Sequence, residues 1–234
     1  MTPFRLKASL RSPIILGKNP VNLAGLLYHC CLLHTCDEKN AADLLASLLL
    51  KSHGVYHASN MVFGVSFDSP LIATTISTSG QMRPGCDLSP DKVKPNGSKG
   101  TYSKVQVEGG PYKNRIEKHQ SYSAQEVYFY GNGEADRAFE LVNYYVNSLG
   151  MYSNLGISGA IEYWEVSEMN DDHSFFMPNF KNTDEQILIN RLPTHALQSS
   201  KWKKQICNLT PPFYKQDNEE ECWISDRILK TQVS

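Results

Sequence analysis

Nowhere in the sequence do 18 apolar residues run together, so no segment offers itself as a membrane span. The opening MTPFRLKASLRSPIILGK also lacks an apolar run long enough for a signal-peptide core, and a soluble, cytoplasmic chain with no membrane partner is expected. Six cysteines (Cys30, Cys31, Cys36, Cys86, Cys207, Cys222) show no framework spacing and are expected as reduced thiols. Excess charge of either sign is missing: 23 Lys and Arg against 24 Asp and Glu leave −1, which argues against a free-standing binder of bulk nucleic acid. No internal repeat is visible, which sets solenoids and propellers aside.

Familiar chemical signatures are missing too. No Gly-Lys-Ser/Thr follows a glycine-rich loop, no dinucleotide fingerprint fits, and no His-Glu-x-x-His helix or paired-carboxylate site is written. No Ser-His-Asp arrangement stands out; Asp171, Asp172 and His173 read as a solvated turn. The run His29-Cys30-Cys31-Leu-Leu-His34-Thr-Cys36 places Cys30 and His34 on one helical face but Cys31 about 100° away. With no second Cys-x-x-Cys pair to close a tetrahedron, it reads as a core helix with buried thiols, and neither metal nor cofactor is expected.

What is present is an ordinary globular composition. At 41% hydrophobic and 20% charged, 234 residues can bury a core without staples. Residues 4–10 alternate as an opening strand, and residues 21–34 and 38–50 read as two consecutive helices, the first apolar nearly all round. Residues 55–67 and 71–77 read as strands, and residues 80–100 as a long Gly/Pro-rich excursion. Residues 102–107 and 115–120 can pair across the Gly109-Gly110-Pro111 turn. A strand at 127–130, an amphipathic helix at 134–149 and a strand after Gly159 complete the order. This β-α-β-β-(hairpin)-β-α-β order predicts an α+β, ferredoxin-like (RRM-like) domain over residues 1–167 with a thumb-like insertion at about 80–122. Residues 168–234 are expected as an irregular C-terminal extension packed on that domain or on a neighbouring subunit.

Charge is uneven along the chain. Between Gln81 and Gln120 eight Lys and Arg face four acids, whereas from Glu165 to Arg227 seven bases face eleven acids. The middle can meet phosphates; the last third cannot do so broadly. Within the basic stretch, Tyr112 suits stacking on a base while Lys113 and Arg115 suit phosphates, although a solvated hairpin tip fits the same residues. The glycines of the 150–159 loop (Gly150, Gly156, Gly159) either aim amides at phosphates or allow tight helix-to-strand packing. His57 reads as a hydrogen-bonded strand histidine or, with Tyr56, as acid–base machinery for RNA.

Taken in order, Ser12-Pro-Ile-Ile-Leu-Gly-Lys-Asn-Pro20-Val-Asn-Leu-Ala-Gly-Leu-Leu27, Gly54-Val-Tyr-His-Ala-Ser-Asn-Met-Val-Phe63, Gly110-Pro-Tyr-Lys113, Phe129-Tyr-Gly-Asn-Gly133, the 150–159 loop, Arg191-Leu-Pro193 and Pro211-Pro-Phe-Tyr214 resemble the RAMP superfamily of CRISPR proteins. The nearest likeness is to the 5′-handle-binding subunit of type IV effector complexes. Ala24 stands where that family usually has aspartate, Leu192 where it has proline, and Met151 and Tyr152 replace basic residues of the loop. The resemblance implies a non-catalytic, antiviral RNA-binding subunit that caps the 5′ handle of the guide RNA (crRNA). Its implied partners are the backbone and large subunits of the same ribonucleoprotein and, in the assembled complex, target DNA. The implied RNA contacts are His57, Ser59, Asn60, Tyr112, Lys113, Arg115, Gly150, Asn154, Gly156, Ser158 and Arg191. The alternative within the same fold is a metal-independent endoribonuclease that processes the guide precursor with His57, Tyr56 and Lys113.

Overall fold

A computed structural model describes residues 1–80, 115–153, 156, 158–179, 181–215 and 218–233. The chain is α+β; among the described residues it has three helices and fifteen strands, the strands distributed over five sheets. By contacts it divides into two compact units, one of Met1–Ala73 with Ser121–Ser234 and the other of Thr74–Gln120. Among the described residues no helix is long and apolar enough to cross a membrane.

The chain opens with β1 (Thr2–Leu10) and the short β2 (Ile14–Ile15). Helix α1 (Leu23–Thr35) starts at Asn22, whose side-chain oxygen accepts from the Ala24 amide; although apolar nearly all round, it buries only one face, Leu23, Ala24, Leu27, Tyr28, Cys30 and Cys31, and leaves His29, Leu33 and His34 exposed. Helix α2 (Glu38–Leu48) follows after two residues and is capped by Asp37, which accepts from the Asn40 amide at 2.8 Å. Then come β3 (Lys51–Ser52), β4 (Val55–Tyr56), β5 (Val62–Val65), β6 (Ile72–Gly80), β7 (Arg115–Ser123) and β8 (Glu126–Gly133). Helix α3 (Ala135–Tyr145) leads to β9 (Ile161–Glu168).

The main sheet runs β15-β5-β8-β1-β9, where β15 is the final strand, Leu229–Gln232. Strand β1 lies antiparallel to both β8 (Leu6 opposite Phe129) and β9 (Leu6 opposite Val166), and β5 lies antiparallel to β8. Period-two alternation sorts the side chains. Phe4, Leu6, Ala8, Val127, Phe129 and Trp164 join one core cluster with Leu23, Leu27, Leu45, Leu48, Ala138 and Val142 of the three helices. Val62, Tyr128 and Tyr130 join a second cluster with Met177, Ile189 and Leu229 of the C-terminal third. Gly133 is required where α2 ends on β8: a Cβ there would stand 1.9 Å from the Leu48 carbonyl oxygen.

In the Thr74–Gln120 unit, β6 and β7 pair with each other. The expected pairing of residues 102–107 with 115–120 falls partly outside the described residues, and the partner of β7 there is β6.

Three expectations change. The strand expected across residues 55–67 breaks into β4 and β5, because residues 57–60 bond instead to Leu50, Tyr130, Asn132 and Ile189. The helix expected to reach residue 149 stops at Tyr145: Val146 is extended, and its carbonyl accepts from the Trp164 indole at 2.9 Å. The C-terminal third is not irregular. It forms β10 (Phe176–Asn179), β11 (Asn182–Leu188), β12 (Leu192–Pro193), β13 (Lys203–Asn208), β14 (Glu219–Ile224) and β15. β15 pairs in parallel with β5, Leu229 opposite Val62, and so extends the main sheet from the other end of the chain.

Candidate functional site

A polar cluster of the larger unit is built on a two-residue hairpin. Ser52 faces Val55 across β3 and β4, and the turn residues His53 (φ 48°) and Gly54 (φ 77°) both adopt left-handed backbone, the conformation of a type I′ turn. His57 follows: its amide donates to the Leu50 carbonyl at 2.8 Å and its carbonyl accepts from the Asn132 amide at 3.1 Å. These two backbone bonds hold the imidazole between the hairpin and the 171–175 turn.

His57 Nε2 lies 2.7 Å from Ser52 Oγ, and His57 Nδ1 lies 2.7 Å from Asp172 Oδ2. Asp172 also accepts from Asn132 Nδ2 at 2.9 Å and from the Ser174 amide at 2.8 Å. Burial alone would raise the Asp172 carboxyl, but the hydrogen bonds from His57, Asn132 and Ser174 outweigh it and hold the group well below the usual carboxylate range. An ionised carboxylate only accepts, so Nδ1 carries a proton, and in the neutral imidazole Nε2 is left to accept from the Ser52 hydroxyl. The Phe175 ring meets the imidazole edge-on, centroids 4.9 Å apart. The His57 side chain is 14% exposed and that of Asp172 28%, so solvent reaches both.

Ser59 and Asn60 point elsewhere. Ser59 is fully buried, and its Oγ accepts from the Tyr130 amide at 2.8 Å. Asn60 joins a buried amide chain: Asn22 Nδ2 donates to Asn60 Oδ1 at 2.9 Å, and Asn60 Nδ2 donates to Ser225 Oγ at 2.7 Å. Asn190 extends that chain to the Tyr56 carbonyl at 3.1 Å. Their chemistry is spent on joining α1, β8 and the C-terminal third. Arg191 is similarly committed. Its Nη1 donates to the Asn208 carbonyl at 2.5 Å, its guanidinium lies 3.9 Å from the Phe213 ring centroid, and burial lowers its pKa.

The 150–159 loop clasps β2. The Met151 amide donates to the Ile15 carbonyl and the Gly159 amide to the Pro13 carbonyl, both at 2.8 Å. Ser158 is buried; its Oγ accepts from the Ile15 amide at 2.8 Å and donates to the Leu149 carbonyl at 3.0 Å. The amide of Gly156 donates to the Ser153 carbonyl at 2.9 Å. Of the two readings of this loop, tight packing accounts for these amides; Gly150 (φ 91°) is there because a Cβ would stand 2.6 Å from the Ile15 oxygen. Tyr112, Lys113 and Asn154 lie outside the described residues, and Arg115 opens β7 in the other unit. Cys30 and Cys31 sit in the core, where burial pushes their thiols up to about 12 and about 11, while Cys36 is exposed at the left-handed C-cap of α1.

The geometry therefore gathers His57 with Ser52, Asn132 and Asp172, three residues that sequence reasoning did not place in a site. The turn expected to be merely solvated at Asp172 instead supplies the cluster's charge. Ser52 and Asp172 are separated from His57 by 5 and 115 positions, so only the fold joins the three. The Asp-x-Ser spacing of Asp172 and Ser174, which favours a side-chain-to-amide bond, was the one local signal. No protein-family model matches the chain, and no curated protein matches its sequence.

Proposed function

We propose that this chain is a ferredoxin-like RAMP protein acting as an RNA-binding subunit of a CRISPR ribonucleoprotein, where it caps the 5′ handle of the guide RNA. One observation carries the reading. Four antiparallel strands in the order β5-β8-β1-β9, with helical segments following β1 and β8, support it, because a ferredoxin-like order is what the RAMP resemblance implies. An inserted unit, Thr74–Gln120, interrupts this order between β5 and β8 and contains the whole basic stretch. Eight Lys and Arg against four acids between Gln81 and Gln120 suit a few phosphates of a single-stranded end rather than a whole duplex. The remaining guide would be neutralised by the backbone and large subunits, which accommodates a net charge of −1.

Burial of Ser59, Asn60, Ser158 and most of Arg191 moves the weight of RNA contact to His57 and to Tyr112, Lys113 and Arg115 of the insertion. The endoribonuclease alternative is less favoured, because the Tyr56 ring is buried with Lys51 over it, and Tyr56 has no bond to His57. The test is purification of the chain from its native host with sequencing of bound RNA. A shared repeat-derived 5′ segment is the expected result; a chain that purifies free of RNA, or with unrelated RNA, overturns the reading.

A further inference from the structure

The chain Ser52 Oγ to His57 Nε2 to Asp172, with 2.7 Å at each step, has the connectivity of a nucleophile, a general base and an orienting carboxylate. Its orientation is fixed from behind. Asn132 Nδ2 shares Asp172 Oδ2 with the imidazole, the Ser174 amide occupies the other carboxylate oxygen, and Phe175 bears on the ring. Ser52 itself is half-buried at the end of a two-residue strand, within reach of solvent. The turn directly after it holds two successive left-handed residues, His53 and Gly54, and neither amide donates to any group among the described residues. Free amides next to a nucleophile are the donors that stabilise an oxyanion. No Lys or Arg among the described residues is hydrogen-bonded to the three side chains, and the exposed Leu50 lies two residues before Ser52. That apolar flank gives the acyl group of a small uncharged ester a surface to rest on.

We propose that Ser52, His57 and Asp172 form an acyl-transfer site, with Ser52 as nucleophile towards small uncharged carboxylic esters. The proposal shares His57 with the RNA reading but does not require RNA to be bound. Ser52 Oγ attacks the acyl carbon while its proton passes to His57 Nε2. The tetrahedral adduct collapses by breaking the bond to the alcohol oxygen, which takes that proton and leaves. Water then attacks the Ser52 ester, giving its proton to His57 Nε2; collapse returns the proton to Ser52 Oγ and releases the carboxylic acid. One ester and one water become one acid and one alcohol. Asp172 stays ionised throughout and acts as the positioning residue that keeps the proton on Nδ1.

The test uses the full chain with a fluorophosphonate probe, read by intact mass and peptide mapping, and with p-nitrophenyl acetate, read as a pre-steady-state burst. One adduct is expected, on the peptide containing Ser52. Ser52→Ala, which removes only a hydroxyl, should abolish that adduct while leaving the melting temperature within a few degrees. His57→Gln should slow labelling at least ~100-fold. Asp172→Asn should slow the burst about 100-fold or more with its amplitude retained, because a wrong tautomer lowers rate whereas unfolding lowers amplitude. Absence of a Ser52 adduct on folded protein, or labelling of equal rate in His57→Gln, would overturn the proposal.

Discussion

Three groups donate to the Asp172 carboxylate, namely His57, Asn132 and Ser174, and all three are lost or weakened when it takes up a proton. Its folded-state pKa is depressed, so its contribution to stability is complete above the unfolded carboxyl value, ~3.9, and is lost as pH falls from there through the folded value. The melting temperature of the native chain should therefore fall more steeply below about pH 4 than that of Asp172→Asn. Near neutral pH the same variant should be less stable by about 1–3 kcal/mol, since a charged acceptor of several hydrogen bonds has gone. Parallel acid dependence of the two proteins would refute this account of the turn. The thiols divide by the same logic of burial. Cys36 should react with a thiol reagent in the native state, whereas Cys30, Cys31 and Cys222, buried and with thiols raised to about 12, about 11 and about 12, should react only on unfolding. Peptide mapping after brief and exhaustive labelling checks it.

At the scale of elements, the 150–159 loop acts as a clasp from the end of α3 to β2. A Cβ on Gly150 would stand 2.6 Å from the Ile15 oxygen, and one on Gly159 would stand 2.3 Å from the Leu149 oxygen; both glycines have positive φ. Gly150→Ala and Gly159→Ala should each cost at least about 1–3 kcal/mol, seen as lowered denaturation midpoints. Gly156→Ala, with open space around its Cβ, should cost only its positive φ, about 1 kcal/mol. A loop that held phosphates would lose binding in all three variants, whereas a clasp ranks them by collision. Periodicity made the principal elements readable: β1, α1, α2, β8 and α3 lie within a few residues of where alternation and caps place them. The C-terminal strands were not readable, because they are short and alternate weakly: β13 exposes four consecutive residues and β12 has two residues. His57 was legible as a candidate because it is polar within an apolar strand-like run. Its partners were not, since the bonds to Asp172 and Asn132 cross 115 and 75 positions, respectively.

For the whole molecule, the proposed RNA-binding role has to be reconciled with a net charge of −1. Affinity for phosphates scales with the counterions released, and the basic excess between Gln81 and Gln120 is only four charges. Isolated chain should therefore bind single-stranded RNA weakly, with log affinity falling against log salt with a slope of about −2 to −3. A slope steeper than about −6 would demand a broad basic surface that neither the sequence nor the described residues provide. The contacts should concentrate in the insertion. If these side chains serve RNA and not the fold, replacing Tyr112, Lys113 and Arg115 together by alanine leaves the melting temperature nearly unchanged, within about 0.5 kcal/mol of stability. Binding should nevertheless weaken by about 1–3 kcal/mol from lost stacking at Tyr112, with the salt slope reduced by up to ~2 from the two lost cations. His57→Gln in the same assay separates the two units. If only the triple variant weakens binding, RNA lies on the insertion and the His57 cluster serves another chemistry. If only His57→Gln does so, the insertion is not the RNA contact and its basic residues are a solvated surface.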